Sequence, residues 1–544
     1  MAVTESGPRA GQLTRSVGFW GLMFVSLGSI IGSGWLLGAL NAAEVAGPAS
    51  ILSWILAAAM LTLLALVYAE LGATYPVAGG SGRFPYYSHG PVAGFVAGWA
   101  AWLQAVFIAP IEVLAALTYV NSVSWVNQHF RMLTPDALLN GRGLVVAVLL
   151  MVLFTAMNLA GAKFLSESNT MVVIWKTAVP FLAIGVVASL SFHPGNFTTG
   201  GGFLPHGFHG VFAALTGGVV FALQGFEQAV QLAGEARNPR KDLSRAILVA
   251  MGIGALLYSL LQVVMIAGLN PADVAKNWNH PLGQDPSDYG AWYTLALAVG
   301  ATWLATVLII DAVISPAGTG IVYLGTSARL SYALGEEDEL PAALASTNDR
   351  GVPVVSILLA AVVGIIAFGP FKSWASLVSV VTGATAVMYA FAPIALGALH
   401  KVDGDRPRSY RVPMPAVVLP VAFCSANLII YWGGFDYTWK IACALVVGLA
   451  IFAIGSSRSG TNLGWALRHG WWVGPWIAGD CVLGLLGRYG VGAKNILPEW
   501  VDIFVVIAFS LMIFYAAVAT SLSREQARAA VARDAHQLAD LEHA

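Results

Sequence analysis

The chain has 544 residues, of which 58% are hydrophobic and only 10% charged, whereas an ordinary soluble domain carries about 25% charged residues. That balance excludes a water-soluble globular protein, and no stretch between the apolar runs is long enough for a large soluble domain. A formal net charge of −1 says nothing about partners, so what matters is where the 27 Lys and Arg fall.

Residues 1–16, "MAVTESGPRAGQLTRS", are polar and lack the short apolar core of a secretion signal, so they read as a cytoplasmic segment, with the first span directing insertion. Crossing about 30 Å of hydrocarbon takes roughly 20 apolar residues. Such runs recur at 17–42, 48–74, 92–124, 143–160, 168–190, 209–234, 245–268, 291–330, 353–369, 374–399, 414–432, 438–456, 472–487 and 500–522, which predicts about 14 spans. The run 291–330 is long enough to project beyond the membrane as a single helix, and 472–487 is short and carries Asp480. Placing the amino terminus inside puts "EARNPRKDLSR", "HKVDGDRPRSYR" and "SREQARAAVAR" on the cytoplasmic side, as the positive-inside bias requires. Both termini then lie in the cytoplasm of a multi-pass inner or plasma membrane protein, provided 472–487 crosses.

The first span is oddly built. Its segment "SLGSIIGSGWLLG" holds Gly28, Gly32, Gly34 and Gly38 among three serines, where a plain lipid-spanning helix would use leucine and valine. One reading is a face of small residues that lets helices approach closely. The other is an unwound segment, tolerated at membrane depth only where it faces protein or a water-filled site. The sixth span has a matching interruption, "FALQGFE", at Gln224, Gly225 and Glu227. Packing alone does not predict paired breaks at corresponding places, so a site is favoured. Five spans separate the two, an odd number that makes the second copy inverted, as in many secondary transporters. The expected organisation is a ten-helix core at 17–399 with repeats near 17–190 and 209–399, additional spans at 400–522 and a cytoplasmic tail at 523–544. Freed N–H groups at a half-helix start suit a carboxylate, and freed carbonyls suit an ammonium group. One of each describes an amino acid.

The pieces "GSIIGSG" with "AGPASILSW", "YAELGATYPVAGGSGRFPYYSHGPVAGFVAGW", "FALQGFE" leading to "GEARNPRKDLSRAI", and "TSARLSYALGEEDELP" occur here in order. In this the chain resembles the amino acid/polyamine/organocation permease superfamily from about residue 15 to 455. "SGRFPYYSHG" followed by "APIEVLAALTYV", with the extra carboxy-terminal spans, looks most like the bacterial branch that includes aspartate-proton symporters. The resemblance implies an all-α, leucine-transporter-like fold, a 5+5 inverted repeat with discontinuous first and sixth helices and substrate held between them. It assigns Gly32, Ser33 and Gly34 to the substrate carboxylate, and the carbonyls of Ile30, Phe221 and Gln224 to its ammonium group. Phe221 would stand where the family often has an aromatic gate. Gln224 is polar where relatives usually carry an aliphatic residue, which puts the side-chain pocket in question.

Ionisable residues within the oil are costly and mark function by default. Glu112, Lys176, Glu227 and Asp311 are the candidates for proton coupling. A lysine at the place of Lys176 resembles, in proton-coupled relatives, a stand-in for the sodium of sodium-coupled members; the alternative is a fixed ion pair, perhaps with Asp311. Glu227 is a proton carrier or a brace for the broken helix, and Glu112 and Asp311 read first as polar struts. Ser315 and Thr319 share a helix face near where sodium-coupled relatives place hydroxyl ligands; with Lys176 present, sodium is not expected.

Other chemistry is thin. Cys424, Cys443 and Cys481 have neither disulfide nor metal spacing, and His193, His206 and His209 fit no zinc motif, so no metal or cofactor is expected beyond the proton. Without a phosphate loop an ATP-driven pump is not expected, and no nucleophile, base and orienting group share a motif, so an enzyme is not expected either. The expected partners are an amino acid and the bilayer, with no nucleic acid and no obligate protein partner. The leading function is a proton-coupled amino acid symporter working by alternating access. A proton-independent exchanger, a polyamine carrier and a non-transporting receptor are the alternatives, and acidic, neutral and cationic substrates all stay open.

Overall fold

The computed structural model describes residues 17–77, 79–160, 162–283, 290–336, 340–348, 352–459 and 463–534. The expectations for 1–16 and for the end of the tail lie outside them. Among the described residues the regular structure is helical, with two isolated β-bridges.

The first span is two rods, α1 (Phe19–Ile30) and α2 (Gly34–Ala46), separated at Ile31–Ser33. A short 3-10 turn joins α2 to α3 (Ser50–Thr74), and α4 (Gly80–His89) leads through Gly90 into the long α5 (Pro91–Asn121). The short α6 (Ser124–His129), then α7 (Gly141–Leu159) and α8 (Ala162–Leu190), complete the first half. The sixth span breaks into α9 (Gly207–Ala214), a π-turn at Leu215–Val219, α10 (Val220–Leu223) and, after a gap, α11 (Gln228–Gln231). Gly218 at φ 135° and Gly225 at φ 116° supply turns that residues with a Cβ rarely make. Then come α12 (Pro239–Gly268), the short α13 (Pro271–Val274), α14 (Ala291–Ala298), α15 (Thr302–Glu336), α16 (Val354–Ala367) and α17 (Trp374–Val402). The carboxy-terminal helices are α18 (Pro415–Gly433), α19 (Phe435–Ser459), α20 (Leu463–Gly470), α21 (Val473–Leu486), α22 (Val501–Ala519) and α23 (Arg524–Ala532).

Two expectations change. The run 291–330 is two helices rather than one, because Gly300 at φ 79° ends the turn after α14 and α15 starts anew at Thr302. Among the described residues, ten stretches are long and apolar enough to cross a membrane by themselves, which does not confirm fourteen, and Gly34–Thr74 counts as one of them. Four further apolar helices have 10–17 residues: Phe19–Ile30, Gly207–Leu223, Val354–Ala367 and Val473–Leu486. Two of these are pieces of the broken first and sixth spans, so the shortfall follows in part from the breaks.

The broken helices lie at the centre. α1 packs on α12, α8, α11 and α15, while α5 packs along α15 and α17. Gly34 closes the contact between the two broken spans, since a Cβ there would meet Ala222 at 2.6 Å. The added helices are tied on by polar contacts: Trp476 in α21 donates to Asn427 in α18 at 2.7 Å, and Asn427 donates to Ser510 in α22 at 3.0 Å.

Candidate substrate and coupling site

The break in the first span exposes backbone that a continuous helix would consume. Gly32 and Ser33 lie between the rods: the Gly32 N–H turns back to the Ile30 carbonyl at 3.2 Å, and the Ser33 carbonyl accepts from the Leu36 and Leu37 N–H groups that begin α2. Glu112, from the middle of α5, accepts from the Ser33 N–H at 2.8 Å and from the Ser33 hydroxyl at 3.1 Å. Trp374 at the start of α17 donates its indole N–H to the same hydroxyl oxygen at 3.0 Å. Ser33 and Glu112 are both buried. A Cβ on Gly32 would lie 2.7 Å from a Glu112 oxygen, so only glycine lets the carboxylate come so near the main chain. A side-chain carboxylate thus already rests on the half-helix start to which the sequence reading assigned a substrate carboxylate.

On the α1 side of the break, Lys176 from α8 donates to the Gly28 carbonyl and to the Thr319 hydroxyl of α15, each at 2.6 Å. Among the described residues the lysine makes no ion pair within 4 Å, so the fixed pair with Asp311 is not formed. Asp311 instead accepts from the Trp35 indole at 3.1 Å and ties α15 to α2, as a polar strut would. Lys176 is buried, and its ammonium group links α1, α8 and α15 where Thr319 approaches the first span. Ser315, one turn away, is buried with its hydroxyl unpaired.

The second break is organised by Glu227. Its carboxylate accepts from the Gly225 N–H at 3.0 Å, from Tyr389 of α17 at 2.5 Å and from Gln104 of α5 at 3.0 Å. These bonds tie the gap between α10 and α11 to two neighbouring helices, α5 and α17. Gly225 lies against the end of α1, where a Cβ would fall 2.8 Å from the Ser29 carbonyl carbon.

The six residues assigned to the substrate are not equally available. Gly32, Ser33 and Gly34 are together at the first break. The Ile30 carbonyl accepts from Tyr258 of α12 at 2.8 Å. The Phe221 carbonyl is approached by the Gln224 N–H at 3.4 Å, and the Phe221 ring meets Trp374 edge-on with centroids 5.7 Å apart. Gln224 is buried with neither side-chain amide atom hydrogen-bonded.

Sequence reasoning missed Trp374, Tyr258, Gln104 and Tyr389. The only available signal was weak: polar or amphipathic side chains such as Gln104 and Tyr389 inside otherwise apolar runs, which need partners when buried.

A sequence model of the amino acid permease family matches residues 17–454. The chain is similar to the glutamate/serine transporter AimA of Bacillus subtilis, 33% identical over 93% of each chain. It is also similar to the aspartate-proton symporter of Bacillus subtilis, 32% identical over 95% of this chain and 98% of the relative. Among solved structures, the manganese transporter of Eremococcus coleocola is 12% identical with a TM-score of 0.49, over 87% of this chain and 99% of that one. With a model match over most of its length and two relatives above 30% identity along nearly all of it, this multi-pass membrane protein belongs to the amino acid permease family.

Proposed function

We propose that the chain is a secondary active transporter carrying an amino acid together with a proton by alternating access, both termini in the cytoplasm. Residues 17–399 form the transport core and 400–522 an added helical layer. The observation that carries this reading is the convergence of two ionisable side chains on the break in the first span: Glu112 on Ser33 within it, and Lys176 on the carbonyl of Gly28 in the last turn of α1 before it.

The chemistry runs as follows. While Glu112 is ionised it occupies the Ser33 N–H and hydroxyl, the donors best placed for a substrate carboxylate. A proton on Glu112 weakens it as an acceptor and removes the like-charge repulsion toward an arriving carboxylate. Proton and substrate then enter together. Lys176 holds the α1 half of the break to α15, and a change in its charge loosens that tie, which links protonation to movement of α1. Gln224 supplies an unpaired buried donor and acceptor, and leaving such groups unmet costs about 1–3 kcal/mol. A substrate with a polar side chain would meet them. The amino acids for which the two relatives are named, glutamate, serine and aspartate, are of this kind.

The test is uptake of labelled aspartate, glutamate, serine and leucine into proteoliposomes with and without an inward proton gradient. The expected result is gradient-driven accumulation of a polar amino acid, lost in Lys176→Ala while counterflow persists. Saturable exchange indifferent to the gradient in both proteins would instead identify a proton-independent exchanger.

A further inference from the structure

Away from the transport site, the end of α17 at Lys401 and Val402 and the residues after α22 at Ser521 and Leu522 meet α20. There α20 and the first turn of α23 border an open cavity of about 570 Å³. Its charged lining is cationic. Lys401, Arg468 and Arg524 border it, together with His469, Ser523 and Trp465, and no Asp or Glu is among its described lining residues. Arg524 is paired at 3.0 Å with Asp405, which Arg528 shares at 3.4 Å. Among the described residues, Lys401 and Arg468 make no ion pair. Ser523 caps α23 through a reciprocal bond with Gln526, so the positive end of that helix also borders the cavity.

Lys401 and Arg468 stand beside a helix N-terminus with no anion among the described residues paired to either, which favours a negative ligand. The surroundings indicate its source. Leu463, Leu467 and Trp471 on or beside α20 are 38%, 49% and 49% exposed, an apolar edge next to the ends of membrane-crossing helices. A short amphipathic helix of this kind lies in the headgroup boundary with its apolar side in the acyl region. Basic pockets between helix ends on the cytoplasmic side are places where acidic lipid headgroups bind. A smaller recess of about 180 Å³ shares Trp465, Leu522 and Gln526 with the cavity and extends it along α23.

We propose that this cavity is a binding site for the phosphate headgroup of an anionic phospholipid, held by Lys401 and Arg468 against the start of α23. The site is independent of the transport reading and does not require it.

The test is native mass spectrometry of the purified full chain with phosphatidylglycerol or phosphatidylcholine. The wild type is compared with Lys401→Gln/Arg468→Gln and with a control, Arg131→Gln/Arg142→Gln, at the opposite end of α5. The expected result is retention of phosphatidylglycerol over phosphatidylcholine by wild type and control, with affinity reduced on the order of 30-fold in the cavity variant. Equal retention by all three proteins would overturn the proposal. Displacement of the bound lipid by millimolar inorganic phosphate, with phosphate binding equally well alone, would overturn the lipid assignment and leave a soluble-phosphate site. A measurement on the wild type guards against a misfolded variant: a photoactivatable phosphatidylglycerol should label peptides covering 463–470 or 521–526, and labels confined elsewhere would count against the site.

Discussion

Ser33 shows how much one residue's surroundings constrain the reading of a site. Its N–H and hydroxyl are both held by Glu112, and its hydroxyl oxygen also receives Trp374. In Glu112→Gln the amide keeps one acceptor oxygen but cannot titrate. The expected outcome is counterflow preserved at a fixed pH while the pH dependence of uptake flattens; a profile that still tracks the wild type would move the proton elsewhere. Elsewhere in the chain, Glu70 makes a purely structural case. Its buried carboxylate accepts from His400 at 2.5 Å and from the Val412 N–H at 2.6 Å, and pairs with Arg408 at 3.0 Å. Since the Arg408 side chain is only 2% exposed, Glu70→Ala leaves a buried cation unpaired and is expected to cost about 3–5 kcal/mol. A large drop in melting temperature of the detergent-solubilised protein checks this. Lys176 was legible in the sequence because a lone lysine in an apolar run demands partners. Glu112 at Ser33 was not, because the meeting depends on the register of α5 against the break, which no local pattern encodes.

The broken helices are where element-level reasoning works best. The glycine cluster of the first span, and Gln224, Gly225 and Glu227 interrupting the sixth, predicted the two gaps, and both spans are broken there. The split of the run 291–330 was less visible, since Gly300 is one glycine among apolar neighbours and only its positive φ reveals the stop. The same physics gives a prediction. Gly225 combines φ 116° with a Cβ position 2.8 Å from Ser29 backbone, and Gly34 would place a Cβ 2.7 Å from the Ala222 Cα. Neither obstacle is the movable end of a side chain. Gly225→Ala and Gly34→Ala are therefore expected to push the two broken spans apart and abolish uptake. Gly252→Ala in α12 meets nothing within 4 Å and is expected to leave transport near wild type. Equal activity in all three variants would mean that close approach of the two breaks is unnecessary.

Across the whole molecule, α4 connects the residues following α23 to the sixth span. Asp534, just beyond α23, pairs with Arg83 at 2.7 Å and accepts from Tyr87 at 2.5 Å, and Arg533 bonds Tyr86. On its other side, Ser81 of α4 accepts from Gln231 at the end of α11 at 3.0 Å. The last residue of α4, His89, donates through Nε2 to the Ala517 carbonyl of α22 at 2.9 Å. Burial, with a smaller contribution from the facing His469, pushes the His89 pKa down to about 4, so the ring is neutral at physiological pH. In the unfolded chain it titrates near 6.5. Between those values the unfolded state binds a proton that the folded state refuses. This group's contribution therefore lowers stability as pH falls from about 6.5 to about 4, by about 3 kcal/mol in all, and no further below that. His89→Gln removes the titration along with part of the bond to α22. The variant is expected to melt below wild type at pH 7.5 but to lose less on acidification to pH 4.5. Parallel melting curves against pH for the two proteins would exclude His89 as a source of acid sensitivity and leave it as a neutral fastener between α4 and the carboxy-terminal helices.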